Sequence, residues 1–151
     1  MILLRPSAGI KKYTDIDFNI LSDVMTTLFR SNHRKPVNFK AKVYKSRQPG
    51  VSLCETVTDD DFVIFLDQTT RPTRKFIFGS ILHELRHCCQ LHIWKYWPDS
   101  TKFKTYEDYF RSKEEVDARK IERLTRQVMK VYDMHVAINK KYKSFGLTKL
   151  G

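Results

Sequence analysis

The sequence predicts an α+β fold, a small and mostly antiparallel sheet with helices packed on it, and three observations lead there. Apolar residues recur at helical spacing between positions 14 and 31, alternate or cluster in short runs between 37 and 66, and return to helical spacing beyond 74. Strands grouped together and flanked by helices fit an α+β order better than a strict βαβ alternation. The 151 residues are expected to form one domain, 1–151, around one core.

The first helix is expected over 14–31, with Thr14 as its cap and Ile16, Phe18, Ile20, Leu21, Val24, Met25 and Leu28 on its apolar face. From Val37 the pattern alternates, with Val37, Phe39, Ala41 and Val43 interleaved with polar positions, as in a half-buried strand. Gln48-Pro49-Gly50 marks a turn, Val51 to Thr58 a second strand, and Phe62 to Leu66 a dense core strand after the acidic turn at 59–61. A helix from about Arg74 to Trp94 follows, with Ile77, Ile81, Leu85 and Cys88 stepping by three and four. Trp97-Pro98-Asp99-Ser100 interrupts the chain, and an aromatic connection leads to Ser112, the expected cap of a long last helix. That helix buries Val116, Ile121, Leu124, Val128, Val131 and Tyr132.

Composition narrows the function classes. Hydrophobic residues at 41% and aromatics at 13% suffice for a packed core and argue against a disordered chain. No apolar run approaches the length needed to cross a bilayer, and Met1 to Leu4 is too short for a secretory signal, so a cytoplasmic address is expected (host cytoplasm or virion if phage-encoded). The three cysteines, Cys54, Cys88 and Cys89, have no repeated spacing and read as reduced, buried small residues. The net charge of +11 favours anionic partners, nucleic acid above all. The basic residues are scattered, however, and a solvated basic surface is the preferred reading, with direct nucleic-acid binding as its alternative.

The chemistry is concentrated in His83-Glu84-Leu85-Arg86-His87. Histidines four apart on a helix project from one face and can share a Zn²⁺ ion. Glu84 lies about 100° around the axis, placed to take a proton from a zinc-bound water as it attacks a carbonyl and to pass that proton to the leaving amine. Zinc then needs a third protein ligand. His92 points to the opposite side of a continuous helix and is rejected, and nothing in the surroundings of His33 or His135 recommends them. The metzincin pattern also fails, because Gln90 and Ile93 stand where it requires Gly and His.

The acidic segment at 112–122 is the better source. With it, the sequence resembles the gluzincin-type metallopeptidases, especially the minimal ones of phages and bacteria, in which an H-E-x-x-H helix is followed by a helix bearing E-x-x-A. Glu115-Val116-Asp117-Ala118 matches that second element. The resemblance covers roughly residues 37 to 125 and implies Glu115 as the third zinc ligand. It also implies Ala118 as a small residue where the two helices meet, and a strand within Val51 to Leu66 pairing with an extended substrate. Where many such families carry Asp or Asn after the Ala, this chain has Arg119. Ser112-Lys113-Glu114-Glu115 also reads as a capping box, which would engage the same carboxylate, so Glu114 and Asp117 stay open as alternatives.

Tyr106, Tyr109 and Arg119 lie where an oxyanion stabiliser would sit, with packing the preferred role for each tyrosine. Gly79 is expected to allow close helix-on-sheet contact. The function expected is a zinc-dependent peptidase acting on protein or peptide substrates. The alternatives are a nucleic-acid-associated protease in the manner of the SprT-like proteins, whose third histidine ligand has no clear counterpart here, and a catalytically silent zincin-fold component of an assembly such as a phage particle.

Overall fold

Four strands build the sheet that carries the rest of the molecule: β1 (Ile2–Pro6), β2 (Phe39–Lys45), β3 (Leu53–Thr58) and β4 (Asp61–Leu66), in the order β1-β2-β4-β3. The computed structural model describes residues 1–31, 36–46, 52–67, 73–94 and 103–146. The helices are α1 (Ala8–Tyr13), α2 (Phe18–Ser31), α3 (Arg74–Cys89), α4 (Tyr106–Phe110), α5 (Lys113–Glu122) and α6 (Thr125–Ser144), with a π-helical turn at Gln90–Trp94 extending α3. The architecture is α+β, with the motif helix and a long C-terminal helix beside the sheet, as the hydrophobic periodicity indicates.

One face of the sheet is dry. Its register sets Leu4 beside Ala41 and Ala41 beside Phe62, and the alternation buries Ile2, Phe39, Val43, Ile64 and Leu66 on the same side. Onto that face pack Leu21, Met25 and Phe29 of α2 and Phe78, Ile81, Leu82 and Leu85 of α3, in one continuous apolar cluster. Lys40 and Lys42 point the other way and are exposed.

Sheet polarity departs from expectation. β1 with β2 and β2 with β4 are parallel, and only β3 with β4 is antiparallel. One cause is that β4 lies between β2 and β3, so β2 meets β4 and not its successor β3; the other is β1, a short strand ending at Pro6 that the sequence reading passes over. The helical crossover through α1 and α2 returns the chain to run alongside it. Hydroxyls of α2 then satisfy the outer edge of β1: Ile2 N–H donates to Thr26 Oγ1 and Leu4 N–H to Ser22 Oγ, both at 2.9 Å. β3 forms the opposite edge and leads through the acidic tight turn into β4, keeping its hairpin register apart from an irregularity near Thr56.

Two helices differ from the expected spans. The segment 14–31 divides, because Thr14 ends α1 and it is Asp17 whose carboxylate caps α2, accepting from Asn19 N at 2.9 Å. The last helix also divides, at Arg123 and Leu124, so the carboxylate-bearing helix α5 is separate from the long helix α6. Ile121, Val128 and Tyr132 are buried as expected and Leu124 is half-buried, whereas Val116 on α5 and Val131 on α6 are exposed. The expected turn at Gln48-Pro49-Gly50 and the interruption at Trp97-Pro98-Asp99-Ser100 lie outside the described residues.

Candidate metal centre

Helix α3 starts where Thr73 Oγ1 accepts from Phe76 N at 3.1 Å and runs unbroken through the motif. Its face toward the sheet anchors it in the core, leaving His83 and His87 to turn toward α5. Helix α5 starts at Ser112, whose hydroxyl accepts from Glu115 N at 3.3 Å. Only this half of the capping box forms. The Glu115 carboxylate turns to the histidines instead of reaching back to the cap. Ala118 is fully buried where α5 approaches the core, the role expected of a small residue there.

Three donor groups converge. Glu115 Oε1 is 2.7 Å from His87 Nε2, Glu115 Oε2 is 3.2 Å from His83 Nε2, and the two Nε2 atoms are 3.2 Å apart. Each residue thus offers one ligand atom to a common point, with all three within 4.8 Å of one another, a group that can hold a metal ion. The donor set fits a divalent cation of borderline softness: two imidazoles and one carboxylate, with both imidazoles presenting the same ring nitrogen.

The outer nitrogens are also accounted for, as a ligating histidine requires. His83 Nδ1 lies 2.9 Å from Glu122 Oε2, and His87 Nδ1 lies 2.8 Å from Gln90 Oε1. Gln90, itself buried, donates from Nε2 to the Glu114 carbonyl and to Asp117 Oδ2, each at 2.9 Å. Asp117 in turn takes a two-point contact from Arg86, at 2.6 and 3.1 Å. Asp117 is therefore engaged with Arg86 and Gln90, and Glu114 contributes its backbone carbonyl to the same support. The carboxylate brought to the histidines is that of Glu115.

Electrostatics follow from this packing. Burial raises the Glu115 carboxyl, but hydrogen bonds with His83, His87 and Tyr109 outweigh it and hold the group far below the usual carboxylate range. For His83, burial alone would lower the value, yet the bonds to Glu115 and Glu122 carry it up to about 10 in the metal-free protein. Glu84 behaves oppositely. Burial pushes it up to about 7, only partly offset by the charges of His87 and His83, and among the described residues its carboxylate has no hydrogen-bond partner.

The remaining candidates sort by position. Tyr109 Oη donates to Glu115 Oε1 at 2.6 Å, so it orients the carboxylate as well as packing against Phe103. Tyr106 is largely exposed. Arg119 donates to the Phe110 carbonyl, stacks 3.6 Å above that ring, and keeps Nη1 3.9 Å from Glu115 Oε2. His92 is directed to the Asp59 carbonyl, 2.7 Å from its Nδ1, and His135 sits exposed on α6, so neither joins the centre. His33 lies outside the described residues. Gly79 meets helix and not sheet: a Cβ there would stand 3.3 Å from Thr125 Oγ1 and 3.7 Å from Glu122 Cγ.

Sequence reasoning missed Gln90 and Glu122. Both had a signal, since Gln90 lies one turn past His87 and Glu122 two turns past Glu115 on the same side of its helix. No family model matches the chain, and neither curated proteins nor solved structures give a match to it.

Proposed function

We propose that the protein is a zinc-dependent peptidase of the gluzincin type, with His83, His87 and Glu115 as metal ligands and Glu84 as general base. The observation that carries this reading is the junction of two features: three ligand atoms meeting at one point, and beside them the Glu84 carboxyl, which burial pushes up to about 7 and which no hydrogen bond from the described residues holds. Water still reaches the Glu84 oxygens, and a purely structural metal site has no use for a carboxyl held near neutrality within reach of water. A zinc ion in this site would supply Lewis acidity for activating a water and a carbonyl.

The residues divide the work as follows. Glu115 and the two Nε2 atoms fix the centre, Glu122 and Gln90 fix the ring orientations, and Tyr109 holds the Glu115 carboxylate. Glu84 accepts the proton of the attacking water and delivers it to the departing amine nitrogen. A carboxylate tuned near neutrality suits both transfers, and a cation beside it lowers its pKa again, keeping it ionised as a base. A peptide substrate is favoured because β3 is an edge strand with no neighbour on its outer side among the described residues, and an extended chain can add to such an edge.

The test is hydrolysis of a quenched-fluorescence peptide library by wild-type protein and by Glu84→Gln, both loaded with Zn²⁺. Cleavage should fall at least 1,000-fold in the variant, in line with the removal of an essential proton-transfer group, while bound zinc stays unchanged. Undiminished cleavage by Glu84→Gln would remove Glu84 from the mechanism. Absence of cleavage by zinc-loaded wild type on a diverse library would refute the peptidase reading.

A further inference from the structure

We infer that the cleft beside His83 is a subsite for acidic side chains of a peptide, which makes segments rich in Asp and Glu the substrate class of the peptidase proposed above, and the inference rests on that reading. The cleft has a volume of about 570 Å³ and lies between the first turns of α3 and the corner joining α5 to α6. That is room for a few side chains.

Two of its walls touch the metal centre. Glu122 lines the cleft and also bonds His83 Nδ1 at 2.9 Å, while Arg119 lines it and approaches Glu115. The cleft thus lies on the Nδ1 side of His83, one side chain away from the ligand atoms, where residues flanking the hydrolysed bond would fall. Gly79 forms part of its surface without a side chain, and Thr125 stands close across from it.

Charge sets the preference. Lys75, Arg119, Arg123 and Arg126 line the cleft, against Glu122 alone, whose carboxylate is taken up by His83. Among the other described arginines, Arg74 pairs with Asp133, Arg86 with Asp117 and Arg111 with Glu107, while Arg5 and Arg30 stand singly on the surface. Lys75, Arg123 and Arg126 hold no ion pair among the described residues. Three uncompensated cations in one concavity favour carboxylates strongly over neutral side chains. A nucleic-acid backbone would call for cations strung along a track longer than this pocket, so the peptide is the better fit.

The test is binding, measured without turnover. Zinc-loaded Glu84→Gln is titrated against fluorescein-labelled octapeptides that carry a central Asp-Glu pair or the corresponding Asn-Gln pair, and against a labelled single-stranded oligonucleotide. The acidic peptide should bind about 10-fold tighter than its amide twin, as expected for one or two charge-assisted contacts. That ratio should fall below about 2-fold when Arg123→Ser and Arg126→Ser are combined on the same background, and also with Lys75→Ser, on the opposite wall. All three side chains are exposed, so the variants should fold, which circular dichroism checks.

Equal binding of the two peptides, or a preference that survives both variants, would overturn the inference. So would an oligonucleotide that competes better than the acidic peptide. Wild-type cleavage separates the two ideas: hydrolysis indifferent to nearby Asp or Glu refutes the acidic subsite and leaves the peptidase standing. Acid-selective binding with no cleavage of any peptide refutes the peptidase and leaves the subsite.

Discussion

The residues behind the histidines offer a graded test of the site. Gln90 and Glu122 do the same job, each holding the Nδ1 of one histidine, but in different surroundings. Gln90 is 1% exposed and ties three groups together: His87, the Glu114 carbonyl and Asp117. The Glu122 side chain is 45% exposed and serves His83 from the rim. Loss of such a supporting partner weakens metal binding by about 10- to 100-fold, or about 1.4–2.7 kcal/mol. Gln90→Leu should fall near the upper end, because water cannot readily replace the lost amide and the His87 N–H, the Glu114 carbonyl and one Asp117 oxygen all lose a partner. Glu122→Leu should cost about 10-fold, since the Glu122 side chain stands half-exposed at the rim, where water can take the place of its carboxylate. Glu122→Gln should cost less than that, because its amide oxygen can accept the same bond without the charge. Zinc affinities from competition with a chromophoric chelator give the order directly. A larger loss for Glu122→Leu than for Gln90→Leu, or no loss for either, would refute the argument that these two residues set the ligand geometry.

Two further outcomes follow from the packing and the charges. In the metal-free protein the His83 pKa is raised from 6.5 to about 10, so the stabilisation from its pairing is full below about pH 6.5 and is lost as pH rises through 10. Glu115 is lowered from 4.5, so its share is present above pH 4.5 and lost as pH falls. Zinc must displace the His83 proton at neutral pH and also ionises the share of Glu84 that is still protonated; calorimetry in buffers of different ionisation enthalpy should register release of about one to two protons per ion, and zero release would contradict the assignment. Gly79→Val should destabilise by about 1–3 kcal/mol, because its Cβ begins 3.3 Å from Thr125 Oγ1 and the branched side chain extends into the same gap; an unchanged Tm would show that α3 and α6 can separate freely.

How far the sequence spoke depends on the range over which each feature is determined. The histidine pair and Glu84 were legible because helix geometry alone relates positions 83, 84 and 87. Glu115 was legible through a local pattern that ends in Ala118, but only the tertiary contact decides between capping and ligation, and the carboxylate chose the histidines. Strand direction was not legible. β1 is five residues long, ends in proline, and acquires its meaning only from β2, more than thirty residues away. The break between α5 and α6 has no glycine or proline to announce it. Arg123 and Leu124 are ordinary helix formers, and the corner instead goes with the close seating of Thr125 against Gly79 on another helix. The same corner creates the cation-lined cleft, which is why Arg119, Arg123 and Arg126 read in sequence only as part of a scattered basic surface.

Metal stoichiometry tests the central claim most directly. Protein exposed to Zn²⁺ and then passed through a desalting column should retain one ion per chain, and His87→Ala and Glu115→Ala should each retain far less at the same concentration, because each removes one of three ligand atoms that meet at a single point. Wild type that retains no zinc, or variants that hold it as well as wild type, would contradict the account.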